Sequence, residues 1–141
     1  MKLITSFAIL ILAAFAGVIA QGFVKKSMHQ SRGTSTQEIL ANVAKEINKY
    51  TPSQVDENTR LMNAVAIGTT LRYRYTLANV SHKNFLQGSI GAEHGDRLHS
   101  NVCSTEGMRP LVKLKAVLEY AYYDKDGAEL EVVPIDTATC Q

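Results

Sequence analysis

The chain has 141 residues, the length of one domain rather than two. Charged residues make up 20% of it and apolar residues 45%, which is close to average soluble usage and excludes a disordered or collagen-like chain. The 15 Lys and Arg against 13 Asp and Glu give a formal net charge of +2. That balance excludes a protein that binds nucleic acid through its overall charge.

The first 24 residues are strongly apolar and carry one charged side chain, Lys2. A basic residue, an apolar run and small or light residues at positions −3 and −1, Val18 and Ala20, are typical of a secretory signal peptide cut after Ala20. The run over residues 3–24 would be about 33 Å long as a helix, enough to span a bilayer uncut. Residues 1–24 are therefore predicted to be a hydrophobic helix, either a signal peptide or a single membrane anchor.

Two features of the sequence disagree about the side of the membrane. Lys25, Lys26 and Arg32 follow the apolar run, and the positive-inside rule would keep the domain behind them in the cytoplasm with two free thiols. Cys103 and Cys140 are an even count without a CxxC motif, which suits one disulfide in an oxidising compartment. Giving the cysteines more weight predicts a bacterial envelope protein, either anchored in the inner membrane facing the periplasm or cleaved and periplasmic or secreted.

Residues 25–34 are basic and polar and lack apolar periodicity, which predicts a tether before a globular domain over residues 35–141. Ser35 and Glu38 have the spacing of a capping box. A helix is predicted to follow over residues 36–50 and to end before Pro52. Its apolar positions recur at helical spacing: Ile39, Leu40, Val43, Ile47 and Tyr50.

Residues 61–67 and 71–77 are predicted to be two antiparallel strands, the second of which alternates between two faces. Residues 81–103 suit an irregular helix interrupted by glycines. Residues 114–123 and 129–135 are predicted to be a second antiparallel pair, because Asp126-Gly127 between them is a strong hairpin signal. The predicted fold class is therefore α+β, in the order α-β-β-α-β-β, with helices packed on one face of a four-stranded antiparallel sheet.

Four stretches and a near-terminal cysteine together resemble a family of small, uncharacterised bacterial envelope proteins. They are Pro52-x-x-Val55-Asp56-x-x-Thr59-Arg60-Leu61, Tyr73-x-Tyr75-Thr-Leu77, Val102-Cys103-Ser104 with Met108-Arg109, Tyr120-Ala-Tyr122-Tyr123-Asp124-Lys-Asp-Gly127, and Cys140. The resemblance covers residues 45–140 and departs from the family at Thr139, where an Asp is usual. It implies an amino-terminal signal or anchor, a compact α+β domain and two paired cysteines, and it implies no activity.

The thiols are the first candidates for chemistry. His99 and Cys103 are four residues apart, which would place them on one helix face as a thiol–imidazole pair. A disulfide between Cys103 and Cys140 would remove that nucleophile, and it would restrict the unfolded chain by about 4 kcal/mol. The disulfide is the preferred interpretation, and a thiol enzyme or redox protein using Cys103 with His99 is the alternative.

A candidate interaction face combines two basic residues with a group of tyrosines: Arg72, Arg74, Tyr73, Tyr75, Tyr120 and Tyr122. The arginines could bind an anion, but ion pairing to Glu119 or Glu131 on other strands is the simpler interpretation. The tyrosines suit either a protein-contact surface or packing of the sheet.

Three other patterns have simpler explanations than a site. Glu93, His94, Asp96 and His99 lack the spacing of a helical zinc site and are predicted to be a solvated helix edge. The stretch over residues 124–127 lacks the ligands of a calcium loop and is predicted to be a turn. No P-loop, GxSxG, HExxH or dinucleotide fingerprint is present.

These patterns predict a non-enzymatic envelope protein with no cofactor, no metal and no nucleic-acid partner. It would bind another envelope protein through its sheet face or groove, and would bind the membrane through residues 3–24 if these are retained. A secreted effector or inhibitor is a further alternative.

Overall fold

The computed structural model describes residues 35–141. The predicted hydrophobic helix, its cleavage site and the basic tether lie outside this part of the chain. Within residues 35–141, no helix combines the length and the apolar character that a bilayer span requires.

The described residues form a sheet flanked by helices, joined by single turns of 3-10 helix at His82–Asn84, Glu106–Met108 and Thr137–Thr139. The helices and strands are α1 (Thr36–Asn48), β1 (Ser53–Gln54), β2 (Thr59–Ile67), β3 (Thr70–Leu77), α2 (Ser89–Ser104), α3 (Arg109–Lys113), β4 (Val117–Asp124) and β5 (Glu129–Asp136). The α+β class is as predicted, but the order of helices and strands is α-β-β-β-α-α-β-β, which differs from the predicted α-β-β-α-β-β by the short elements β1 and α3.

The sheet has five strands in the order β1-β2-β3-β4-β5 and is mixed, which corrects the prediction of a four-stranded antiparallel sheet. The central strands β3 and β4 pair in parallel, and the other neighbours pair antiparallel. The connection explains the difference. Helix α2 has 16 residues, so it is about 24 Å long and returns the chain to the end of the sheet where β3 began. Strand β4 starts there and runs in the same direction.

Helix α1 begins as the capping box predicts. The Glu38 amide donates to the Ser35 hydroxyl, and the Ser35 amide donates to the Glu38 carboxylate, both over 3.2 Å. The helix buries Ile39, Leu40, Val43, Ala44 and Ile47. Tyr50, predicted as the last apolar position of this helix, lies beyond its end and is exposed.

One hydrophobic core lies between the helices and a single face of the sheet. Helix α1 packs on β2 and α2 packs on β5, so the two longer helices sit on either side of the central pair β3 and β4. We call this sheet face the covered face; along β3 and β4 it bears Leu71, Tyr73, Tyr75, Leu77, Leu118, Tyr120 and Tyr122. The opposite face, which we call the open face, bears Arg72, Arg74, Glu119 and Tyr123 on the same strands.

A side chain completes the outer edge of β2. Strand β1 pairs only with Arg60 and Leu61. Further along, the Ala64 amide donates to the Asn48 side-chain oxygen over 2.7 Å, and the Asn48 amide donates to the Ala64 carbonyl over 2.9 Å. The amide of Asn48 thus makes the two hydrogen bonds that a residue of a neighbouring strand would make.

The start of α2 is held by the sheet. Glu131 of β5 accepts hydrogen bonds from the backbone amides of Ile90 over 3.0 Å and Gly91 over 2.7 Å. These are two of the amides that a helix leaves unbonded in its first turn, and a carboxylate there is also favoured by the helix dipole. A side chain on Gly91 would place its Cβ 2.9 Å from the Glu131 carboxylate, so the carboxylate would have to shift to make room for it.

Candidate functional site

The open face carries the two predicted arginines in ordered contacts. Arg72 Nε lies 2.6 Å from a carboxylate oxygen of Glu119, its register neighbour on β4. The Arg72 pKa is raised, chiefly by this hydrogen bond. The Arg74 guanidinium lies 4.5 Å from the centre of the Tyr123 ring. The predicted cross-strand ion pair is therefore present for Arg72, while Arg74 stacks on an aromatic ring and makes no ion pair among residues 35–141.

Apolar side chains extend the open face along β2. Val65 pairs with Arg72 and Ile67 pairs with Thr70, so both side chains lie on the open face. Met62 lies in the bulge of the same strand. These three side chains are 39%, 40% and 55% exposed for Met62, Val65 and Ile67. Exposed apolar residues on the same sheet face as an arginine form the kind of surface that protein interfaces use.

The four predicted tyrosines lie on the covered face and are at most 2% exposed. Tyr75 stacks on Tyr120 and Tyr122, with ring centres 6.2 and 5.6 Å apart, and Tyr73 contacts both Tyr75 and Tyr120. Their hydroxyls have no hydrogen-bond partner in the described residues. Burial raises the pKa of all four phenols.

The six residues predicted as one interaction face are therefore divided between the two faces of the sheet. Arg72 and Arg74 lie on the open face, whereas Tyr73, Tyr75, Tyr120 and Tyr122 pack in the core. The alternation in β3 predicted this separation for Arg72 and Tyr73. The parallel pairing added the tyrosines of β4 to the buried side.

Cys103 and Cys140 form the predicted disulfide, with the sulfurs 1.93 Å apart. It joins the last turn of α2 to the residue that follows the final 3-10 turn. His99 lies beside it, with Nε2 3.7 Å and Nδ1 3.9 Å from the Cys103 sulfur. His99 Nε2 is also 2.7 Å from the Thr139 hydroxyl. The predicted thiol–imidazole proximity is present, but the Cys103 sulfur is bonded and carries no nucleophile.

The other histidine of α2 points elsewhere. His94 is 5% exposed, and burial lowers its pKa. Its Nδ1 has no partner in the described residues, and its Nε2 lies 3.7 Å from Glu93. The segment predicted as a solvated helix edge is therefore partly in the core, because His94 faces inward.

Asp124 is the polar residue that sequence reasoning missed. Its carboxylate is buried and accepts hydrogen bonds from the backbone and Nδ1 of His82 and from the amides of Asp126 and Ala128. The His82 contacts hold the pKa of Asp124 far below its usual range. The predicted turn over residues 124–127 is present, with Gly127 at a φ of 85°. No local pattern predicts its partner 42 residues away.

The comparisons with solved structures identify the fold. A protein of Pseudomonas aeruginosa assigned as secreted has 23% identity and a TM-score of 0.64, covering 77% of this chain and all of its own. The type II secretion system pilotin AspS of Vibrio cholerae has 12% identity and a TM-score of 0.56, covering 74% of this chain and 92% of its own. The type 2 secretion system pilotin EpsS of Vibrio vulnificus has 13% identity and a TM-score of 0.56, covering 75% and 92%.

No family model matches the chain, and neither does any curated protein sequence. At these identities the likeness concerns the fold alone. The chain thus shares the fold of a protein assigned as secreted and of two secretion-system pilotins, which accords with the small bacterial envelope proteins that its sequence resembles.

Proposed function

We propose that this chain is a non-enzymatic protein of the bacterial envelope that binds another envelope protein through the open face of its sheet. The observation that carries the proposal is the set of solvent-accessible side chains on the open face, Val65 and Ile67 of β2 and Arg74 of β3, with Met62 in the neighbouring bulge. The Arg74 guanidinium makes no ion pair in the described part of the chain. A partner can bury these groups without breaking a contact of the core, because they lie outside it.

The location rests on two supports. The disulfide suits an oxidising compartment, and the fold is that of a protein assigned as secreted and of secretion-system pilotins. We propose that residues 1–24 carry the domain across the inner membrane as a signal or an anchor, and that residues 25–34 tether it. The pilotin-like fold favours a partner that belongs to an envelope assembly, over release as an effector or inhibitor.

The non-enzymatic assignment rests on the candidate catalytic pair. A nucleophilic cysteine needs a free thiolate, and the Cys103 sulfur is bonded to Cys140. A thiol enzyme would require the reduced chain to be its working form. That alternative predicts a hydrolytic or transfer activity that appears on reduction and disappears in His99→Gln.

Site-specific photocrosslinking in intact cells tests the proposal. A photoreactive amino acid replaces Ile67 on the open face, and a matched chain carries it at Leu86, which is 70% exposed and lies in the loop between β3 and α2. We expect Ile67 to give a discrete adduct with one envelope protein, and Leu86 to give none. The adduct should be lost when Arg74→Glu is added.

Equal labelling from both positions, or no adduct from Ile67 in envelopes that contain the full-length chain, would contradict the proposal. An adduct that persists in Arg74→Glu would leave the apolar row as the binding surface and remove the guanidinium from it.

A further inference from the structure

The disulfide end of α2 contains a cluster of side chains that bind metal ions in other proteins. His99, Cys103 and Cys140 each offer one ligand atom, and these atoms all lie within 4.8 Å of one another. Within residues 35–141 this is the single group of three or more such side chains. We propose that, when the disulfide is reduced, these three residues bind a thiophilic metal ion such as Zn²⁺.

The distances already suit that coordination. Zn–S bonds of about 2.3 Å and Zn–N bonds of about 2.05 Å at a tetrahedral angle hold sulfur and nitrogen about 3.6 Å apart. The His99 ring nitrogens lie 3.7 and 3.9 Å from the Cys103 sulfur. The match arises because His99 and Cys103 are one helical turn apart on α2, so both project from the same face. The two sulfurs, bonded in the oxidised chain, must separate to about 3.75 Å to bind one ion at Zn–S distances of about 2.3 Å.

Thr139 orients the imidazole for this role. Its hydroxyl lies 2.7 Å from His99 Nε2. If Nε2–H donates to that hydroxyl, Nδ1, which lies 3.9 Å from the Cys103 sulfur, keeps a free lone pair for a metal ion. A hydrogen bond from the second ring nitrogen is the usual means by which proteins fix a ligating histidine.

The disulfide and the metal complex exclude each other. A dithiol or phosphine reductant supplies two electrons, and with two protons the disulfide becomes two thiols. Each thiol releases its proton when it binds the metal as a thiolate, so binding releases two protons per ion. Thiol–disulfide exchange with an oxidised partner re-forms the Cys103–Cys140 bond and expels the ion, because bonded sulfurs are no longer thiolates. Three protein ligands leave one position for water or a further ligand.

The test titrates the full chain in detergent with Zn²⁺ in competition with a chromophoric chelator, before and after reduction by a phosphine. Co²⁺ serves as a second probe, since thiolate-to-cobalt charge-transfer absorption reports sulfur ligation directly. We expect the oxidised chain to bind neither ion at the cluster and the reduced chain to bind one per molecule. Near-ultraviolet circular dichroism of the core tyrosines follows whether the reduced chain stays folded.

Three variants make the result specific. His99→Gln should weaken Zn²⁺ binding by more than roughly 10-fold, and Thr139→Val by about 10-fold through loss of the orienting hydrogen bond. The control His82→Gln removes a histidine at the other end of the crossover and should leave binding unchanged. The proposal is overturned if the reduced wild type binds no tighter than His99→Gln, if cobalt shows no sulfur absorption, or if reduction removes the tyrosine signal.

Discussion

The two faces of the central strand pair differ in how their polar groups are used. On the covered face, four tyrosine hydroxyls have no hydrogen-bond partner in residues 35–141, yet each ring contacts another. On the open face, Arg72 and Arg74 are half-buried and each contacts a carboxylate or a ring. Stability therefore comes from aromatic packing on one face, while the other face retains charged groups that a partner can contact.

The largest expected effect comes from removing a ring from the covered face. Tyr75→Ala should lower the free energy of unfolding by about 3–5 kcal/mol, because it leaves a cavity in the aromatic cluster. Tyr75→Phe keeps the ring and removes a buried hydroxyl that lacks a partner, so it should be neutral or stabilising by up to about 1 kcal/mol. Urea unfolding of the two variants measures the difference. A large loss in Tyr75→Phe would mean that the hydroxyl is bonded.

The next effect concerns the attachment of α2 to the sheet. Glu131→Ala removes the acceptor of two helix amides and should cost about 1.5–3 kcal/mol, the range for hydrogen bonds to a charged group. Glu129→Ala is the matched control on the same strand, since Glu129 is exposed and, within residues 35–141, accepts one hydrogen bond, from the Tyr123 hydroxyl. Its loss should stay within about 0.5 kcal/mol. If both variants unfold at the same urea concentration, Glu131 does not hold the helix.

The pH dependence of stability should report on Asp124, a buried carboxylate. Asp124 is the last residue of β4. Its pKa lies far below the usual value, because His82 and the turn amides donate hydrogen bonds to its charged form. Its native form therefore binds fewer protons than the unfolded form. Its contribution is complete above the unfolded pKa of about 4, and is lost as the pH falls through the native pKa.

Urea midpoints measured between about pH 5 and about pH 2 test this assignment. The wild type should lose stability steadily over that interval, and Asp124→Asn should show a shallower dependence on pH. Asp126→Asn, two positions further along the same turn and exposed, should follow the wild-type slope. A wild-type slope in Asp124→Asn would show that other carboxylates cause the acid sensitivity.

The smallest effect on stability is expected on the open face. Arg74→Ala should change the free energy of unfolding by no more than about 0.5 kcal/mol, since it removes a stacking contact at the surface. Arg72→Ala should cost at most about 1 kcal/mol, because the pair with Glu119 is partly exposed to solvent. The comparison between the faces fails if either variant is as destabilising as Tyr75→Ala.

Local patterns were enough to predict most elements. The capping box of Ser35 and Glu38, the alternation in β3 and the Asp126-Gly127 turn each act within a few residues, and each is present. The direction of β4 could not be predicted in this way. It depends on the length and path of the connection between β3 and β4. The glycines of α2 weakened its apolar periodicity, so the sequence did not show that a long helix carries the chain back to the start of β3.

Contacts of the candidate site could be predicted only where strand alternation and strand pairing bring two residues to the same face. Arg72 pairs with Glu119 because both lie on the open face at the same register position. Glu131 was expected beside the arginines, but β5 presents it on the covered face, where it binds the start of α2. The contact of Asp124 with His82 and that of His99 with Thr139 join residues about 40 positions apart, and only the folded chain brings them together.

The bonds between Asn48 and Ala64 have a consequence for the behaviour of the protein at high local concentration. An exposed strand edge is a template on which further copies can polymerise. Strand β1 closes one stretch of the β2 edge and the Asn48 amide closes the next, while Pro134 removes a donor from β5 at the other edge. We therefore expect copies of this domain not to assemble into filaments through the edges of the sheet.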